Sequence, residues 1–129
     1  SEIMGVLGIG ETPGAPGLYA MDAPAYSPES LSGFVASGAQ MLLFSTGVGN
    51  SYVSTLAPTI KISANREATG KLAEQLDFDA SAVFVGEQSL DQASAALLDL
   101  VVDIASGTLT WGEILDEGDE VVSRMGEAL

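Results

Sequence analysis

Two stretches decide the fold: Met41-Leu-Leu-Phe-Ser-Thr-Gly-Val-Gly-Asn50, and, eight residues on, Pro58-Thr-Ile-Lys-Ile-Ser-Ala-Asn65. The first is an uninterrupted apolar run, Met41–Phe44, that breaks into a glycine-rich polar loop, Ser45–Ser51. A run this short, bounded by polar residues and glycine, reads as a strand buried on both faces, as in a parallel sheet between helices. The second alternates, with Ile60 and Ile62 on one face and Lys61 on the other, and reads as a strand over Thr59–Ser63.

Working outward, helical signals flank both strands. Ser27 followed by Pro28 reads as an N-cap and first helical position, and Leu31, Phe34 and Val35 recur at helical spacing, predicting a helix over residues 28–37 that Gly38 ends. Asn65 reads as the cap of a helix over residues 67–76. Ser89 caps the longest predicted helix, residues 90–105, with Gly107 as its stop. Thr110 caps a last turn containing Trp111, Ile114 and Leu115. Further strand candidates are residues 3–9, residues 18–21 ending at Asp22, and Ala82–Val85, with Asp77–Asp79 as a connection. The alternation predicts one α/β domain over residues 1–129. It is a three-layer, Rossmann-like arrangement in which helices cover both faces of an open, mainly parallel sheet. Residues 116–129 read as an acidic, mobile tail.

Composition narrows the chemistry. The 129 residues are 47% hydrophobic and 17% charged, with mean hydropathy +0.31, the balance of a folded chain with a sizeable core. The formal charge is -14, which speaks against a nucleic-acid backbone as partner. No apolar run approaches the roughly 20 residues that span a bilayer, so no membrane partner is expected. The start, Ser1-Glu2-Ile3-Met4, has no positive region ahead of an apolar run and does not read as a signal peptide. Cysteine and histidine are both absent, which removes thiol nucleophiles, imidazole bases and the usual transition-metal ligands from this chain. The lack of disulfides is compatible with a cytoplasmic location.

Three of the four basic residues, Lys61, Arg66 and Lys71, fall in one eleven-residue window beside the glycine-rich loop. In open α/β sheets ligands bind beyond the carboxyl ends of strands, where Ser45–Asn50 is placed. Ser45, Thr46 and Asn50 offer short polar side chains, while Gly47 and Gly49 allow close backbone approach. Lys61 or Arg66 would pair with a carboxylate. Asp22 and Asn65 follow strand candidates, where reacting side chains often sit; each also reads as a cap or turn residue. The loop is no phosphate loop, since no Gly-Lys-Ser/Thr ends it. Together these residues outline a pocket for a small anionic, hydroxylated molecule. Asp77 and Asp79 have oxygen-ligand spacing, but two loop carboxylates make a weak metal signal, and no metal site is assigned to this chain.

An ordered set of pieces carries a resemblance: Pro16-Gly-Leu18, Asp22-Ala-Pro24, Ser37-Gly-Ala39, Leu43-Phe-Ser-Thr-Gly47 with Gly49, Pro58-Thr-Ile-Lys61, Asn65, Asp77-Phe-Asp79, Ala105-Ser-Gly107, and Thr110 with Glu113. In order and spacing the chain resembles the C-terminal region of the altronate/galactarate dehydratases, sugar-acid hydro-lyases with sulfolactate sulfo-lyase as a relative. Members are longer, so the resemblance implies a C-terminal domain or separate subunit whose partners are the remaining domains or subunit of one enzyme, with a homo-oligomer as a further possibility. It implies dehydration of a sugar acid such as altronate or galactarate to a 2-keto-3-deoxy acid. It also implies a divalent metal, iron or manganese, in the complete enzyme. Many relatives have Gly-Arg-Gly where this chain has Gly47-Val48-Gly49, so Lys61 or Arg66 would replace that arginine or the substrate differs. Two other classes stay open: a sugar-acid-binding domain without catalysis, and an oligomerisation domain.

Overall fold

The computed structural model describes residues 2–24 and 26–121. Its elements run β1 (Ile3–Gly8), β2 (Leu18–Asp22), α1 (Ser27–Ala36), β3 (Leu42–Ser45), β4 (Val53–Ser54), β5 (Thr59–Ser63), α2 (Arg66–Lys71), β6 (Phe78–Asp79), α3 (Ser81–Phe84), α4 (Leu90–Ala105), α5 (Trp111–Ile114) and β7 (Gly118–Asp119). The chain is α/β, and every strand pair among the described residues is parallel. The strands form three small sheets where the sequence reading had one open sheet: β1-β2, β3-β5-β6 and β4-β7. One cause is local. The Ser54 amide donates to Thr59 Oγ1 at 3.1 Å, which takes it out of any longer ladder and leaves β4 two residues long.

In the three-stranded sheet β5 is central, and it is buried on both faces apart from a half-buried Ile62. The alternating pattern therefore misreads Lys61: its side chain is 0% exposed. The apolar run misreads β3 in the opposite sense. It is an edge strand, and Leu43 is 54% exposed while Leu42 is buried. Leu42 joins Leu31 of α1 and Ala57 in the core cluster, with Val35, Ala39, Phe44 and Tyr52 packed against it.

Ala82–Val85, read as a strand, lies in the short helix α3 and its cap; the pairing with β5 falls just before, at Phe78 and Asp79. Asp79 Oδ1 accepts from the Ser81 amide at 2.8 Å, closing a turn that starts the helix, and a four-residue apolar run carries no periodicity to announce it. α2 stops at Lys71, short of the expected residue 76. Tyr26 occupies the cap position of α1, making no side-chain cap bond, and Ser27 is already helical. α4 and α5 follow the sequence: Ser89 with Gln92, and Thr110 with Glu113, form capping boxes.

The segment read as an acidic tail is tied in over residues 116–121. β7 pairs with β4, and the Glu120 carboxylate accepts from the Ser32 and Ser54 hydroxyls and, at 3.1 Å, from the Thr55 amide. Burial pushes this carboxyl up, but the hydrogen bonds of Ser32, Ser54, Thr55 and Leu56 outweigh it and hold the group below its ordinary value of 4.5. Residues 122–129, the rest of that expected tail, lie outside the described residues.

Candidate functional site

The carboxyl ends of β3 and β5 open on one cavity of about 550 Å³. It is lined by Ser45, Thr46, Gly47, Ala64, Asn65 and Arg66 together with the apolar Phe84 and Val85. The parallel register creates this place. Ser45 is paired with Ile62, and the Thr46 amide continues the ladder by donating to the Ile62 carbonyl at 2.9 Å, so the loop leaves the sheet beside Ala64 and Asn65.

Asn65 holds the two rims together. Its Nδ2 donates to the Gly47 carbonyl at 2.8 Å, while its Oδ1 caps α2 by accepting from the Glu67 amide at 3.0 Å and the Ala68 amide at 3.5 Å. Both polar ends of this side chain are thus committed to shaping the cavity. A Cβ at Gly47 would meet nothing within 4 Å, so there is open space beside this residue.

Of the other residues singled out in the sequence, Gly49, Asn50, Lys61 and Asp22 are not among those lining this cavity. Gly49 serves packing: its φ of +91° favours glycine, and a Cβ there would collide with Leu72 Cδ1. Asn50 Oδ1 accepts from the Tyr52 amide at 2.8 Å, a local turn. Asp22 ends β2 in the separate two-stranded sheet and is exposed.

Lys61 belongs to a buried clasp. Its Nζ lies 2.9 Å from Glu117 Oε2, its amide donates to Asp77 Oδ2 at 2.7 Å, and Asp77 Oδ1 accepts from the Trp111 amide at 2.8 Å. The clasp joins the central strand to α5 and to the segment that follows it. It also commits Asp77, one of the two carboxylates with oxygen-ligand spacing. Asp79 is engaged too: burial raises its carboxyl, but the hydrogen bonds of Ser81 and Thr69 and the charge of Arg66 together hold it low. Among the described residues no three carboxylates converge on a metal-sized site.

Among the described residues, Arg66 is the cation that reaches the cavity. Its guanidinium makes a two-pronged pair with the exposed Glu87, Nη1 to Oε1 at 3.2 Å and Nη2 to Oε2 closer still. The pairing holds Arg66 above its ordinary value and Glu87 below its own. This guanidinium is exposed at the rim, and Glu87 shows that it can grip a carboxylate with both prongs. Phe84 and Val85 had no functional signal in the sequence. Phe84 is 81% exposed, and only the turn at Asp79–Ser81 brings it to the cavity.

Residues 1–128 match the family model described as D-galactarate/Altronate dehydratase, C-terminal. The chain is 35% identical over 124 residues to the (2R)-sulfolactate sulfo-lyase subunit beta of Chromohalobacter salexigens, covering 96% of this chain and 32% of that one. It is 33% identical to the altronate dehydratase of Escherichia coli over 129 residues, 100% of this chain and 26% of the relative. The galactarate dehydratase (L-threo-forming) of Escherichia coli matches at 30% over 107 residues, 83% and 20%. The chain therefore spans only a fifth to a third of the length of these curated relatives.

Proposed function

The chain belongs to the family of C-terminal regions of D-galactarate/altronate dehydratases, and from that premise we propose that it supplies one wall of the active site of a longer sugar-acid hydro-lyase. The observation that carries this reading is the cavity at the carboxyl ends of β3 and β5, where two hydroxyls, an open glycine and a two-pronged guanidinium line one space.

Dehydration of an aldonate or aldarate removes the proton on the carbon alpha to the carboxylate and the hydroxyl on the next carbon. The resulting enol becomes the 2-keto-3-deoxy acid. Charge builds on the carboxylate oxygens as the proton leaves, and a fixed guanidinium there lowers the barrier by favouring the enolate-like state. Arg66 takes the substrate carboxylate in place of Glu87, filling the role that the Gly-Val-Gly sequence leaves without its arginine. Ser45 and Thr46 hydrogen-bond substrate hydroxyls, and Asn65 positions the loop that carries them. Lys61 acts from behind, as the buried tie between β5 and the Glu117 segment.

Among the described residues no group fits a metal: histidine and cysteine are absent from the chain, no three carboxylates converge, and Asp77 and Asp79 are engaged by protein donors. We assign the iron or manganese of the complete enzyme, and the base that takes the alpha proton, to residues outside this chain. In that assembly the helices are read as covering both faces of the sheet in a three-layer order. We propose a cytoplasmic location from the lack of cysteine; separately, no helix among the described residues is long and apolar enough to cross a membrane.

Thr46→Ala and Arg66→Ala in the longer enzyme test the reading. Each is expected to lower kcat/KM for a sugar acid by about tenfold or more, the worth of one hydrogen bond or charge pair lost in the transition state. Values within twofold of wild type for both would end it.

A further inference from the structure

β1 and β2 form a parallel pair whose two faces have opposite fates. Gly5 and Leu7 of β1, with Tyr19 and Met21 of β2, are half-buried, and Met21 lies close to Gly33 of α1. The other face presents Ile3 and Val6 beside Leu18 and Ala20, a register shift between Ile3 and Gly5 setting Ile3 and Val6 on one side. Of these, Ile3 is 60% exposed, Val6 70% and Leu18 51%, and Ala20 is exposed as well. The register places Ile3 beside Leu18 and Val6 beside Ala20, so these side chains make one continuous strip, with Asp22 at its carboxyl end. Parallel strands are found with both faces covered, and two strands alone are marginal in water. A contiguous apolar strip on such a pair marks a docking surface.

We propose that this strip is the seat of the polypeptide that precedes the matched C-terminal part in the longer enzymes. The occupant is identified by length and place. The curated relatives are three to five times as long as the stretch they share with this chain, and the family model that the chain matches is described as C-terminal. The preceding polypeptide therefore enters at β1, already tethered beside the strip, which raises its effective concentration over any free partner. A second copy of the chain is disfavoured by charge, since two chains of formal charge -14 repel at close range. The proposal rests on the hydro-lyase reading for its occupant, while its test is independent of turnover.

The chain has no cysteine, so single thiols report cover directly. Val6→Cys, Ala20→Cys and, as an exposed acidic reference on α4, Asp99→Cys are placed in the longer enzyme. Labelling of each by a water-soluble maleimide is then followed peptide by peptide by mass spectrometry. Positions 6 and 20 are expected to label about tenfold or more slowly than position 99, at every protein concentration, because a covered thiol reacts only when access opens. Labelling as fast as position 99 would overturn the proposal. So would protection that disappears on dilution, which assigns the strip to a second copy. Sugar-acid turnover of the same preparations separates the two ideas. Protection without turnover removes the hydro-lyase reading and leaves the junction standing; turnover without protection does the reverse.

Discussion

The middle of β5 and the start of α2 carry cations five residues apart and use them in opposite ways. Lys61 is sealed beneath the sheet with Glu117, and its backbone is held by Asp77. Arg66 stands at the cavity rim, exposed, with a carboxylate on its two prongs that another carboxylate can replace. The difference teaches that in this acidic chain a scarce cation is not by itself a ligand site. Burial turned one into structure, and exposure beside hydroxyls left the other for binding.

Lys61→Ala should break that contrast most visibly. It leaves Glu117 without its partner and a void beneath the central strand, and chemical denaturation should show a loss of about 3–5 kcal/mol, the usual cost of stripping one side of a buried pair. Lys61→Met fills the space and should recover much of that loss. Equal stability of wild type and Lys61→Ala would mean that the clasp is ornamental. Arg66→Ala should instead leave the denaturation midpoint unchanged and act only on substrate handling.

A smaller effect is expected at the latch between the two regions. Asn65→Ala removes the cap of α2 and the bond to the Gly47 carbonyl, costing about 1 kcal/mol of stability. In the longer enzyme it should also lower kcat/KM, because the loop carrying Thr46 is released. Asn65→Asp keeps the cap but loses the donor to Gly47, so a stable variant with reduced turnover would isolate the positioning role.

The smallest expected effect lies at the far end of the molecule. Glu120 is held below its ordinary carboxyl value in the folded chain, so its contribution is complete above about pH 4.5 and is lost as the pH falls through the folded value. Wild type should therefore lose stability on acidification more steeply than Glu120→Gln. Parallel pH profiles of the two proteins would remove Glu120 from the fold's acid sensitivity.

Much of this was legible locally. Capping residues speak to the backbone three positions away, and Ser89 and Thr110 announced their helices correctly. The break from Phe44 into Ser45–Gly47 announced a strand end with a polar rim. Periodicity failed where elements were too short to have any: Ala82–Val85 became a helix, and two-residue strands such as β6 left no pattern. Burial failed at Leu43 and Lys61, because an edge strand and a central strand of similar length look alike until their neighbours are known.

By itself the sequence determined the α/β class, the parallel strands, the polar loop at a strand end and the family. The tertiary structure alone decided which cation faces the cavity, which carboxylates are committed and what secures the segment after α5. The reason is reach: Lys61 meets Glu117 across 56 residues, and Ser32 meets Glu120 across 88. No propensity, cap or period spans such separations. Only the folded chain brings those groups within bonding distance and removes the water that would otherwise have kept them apart.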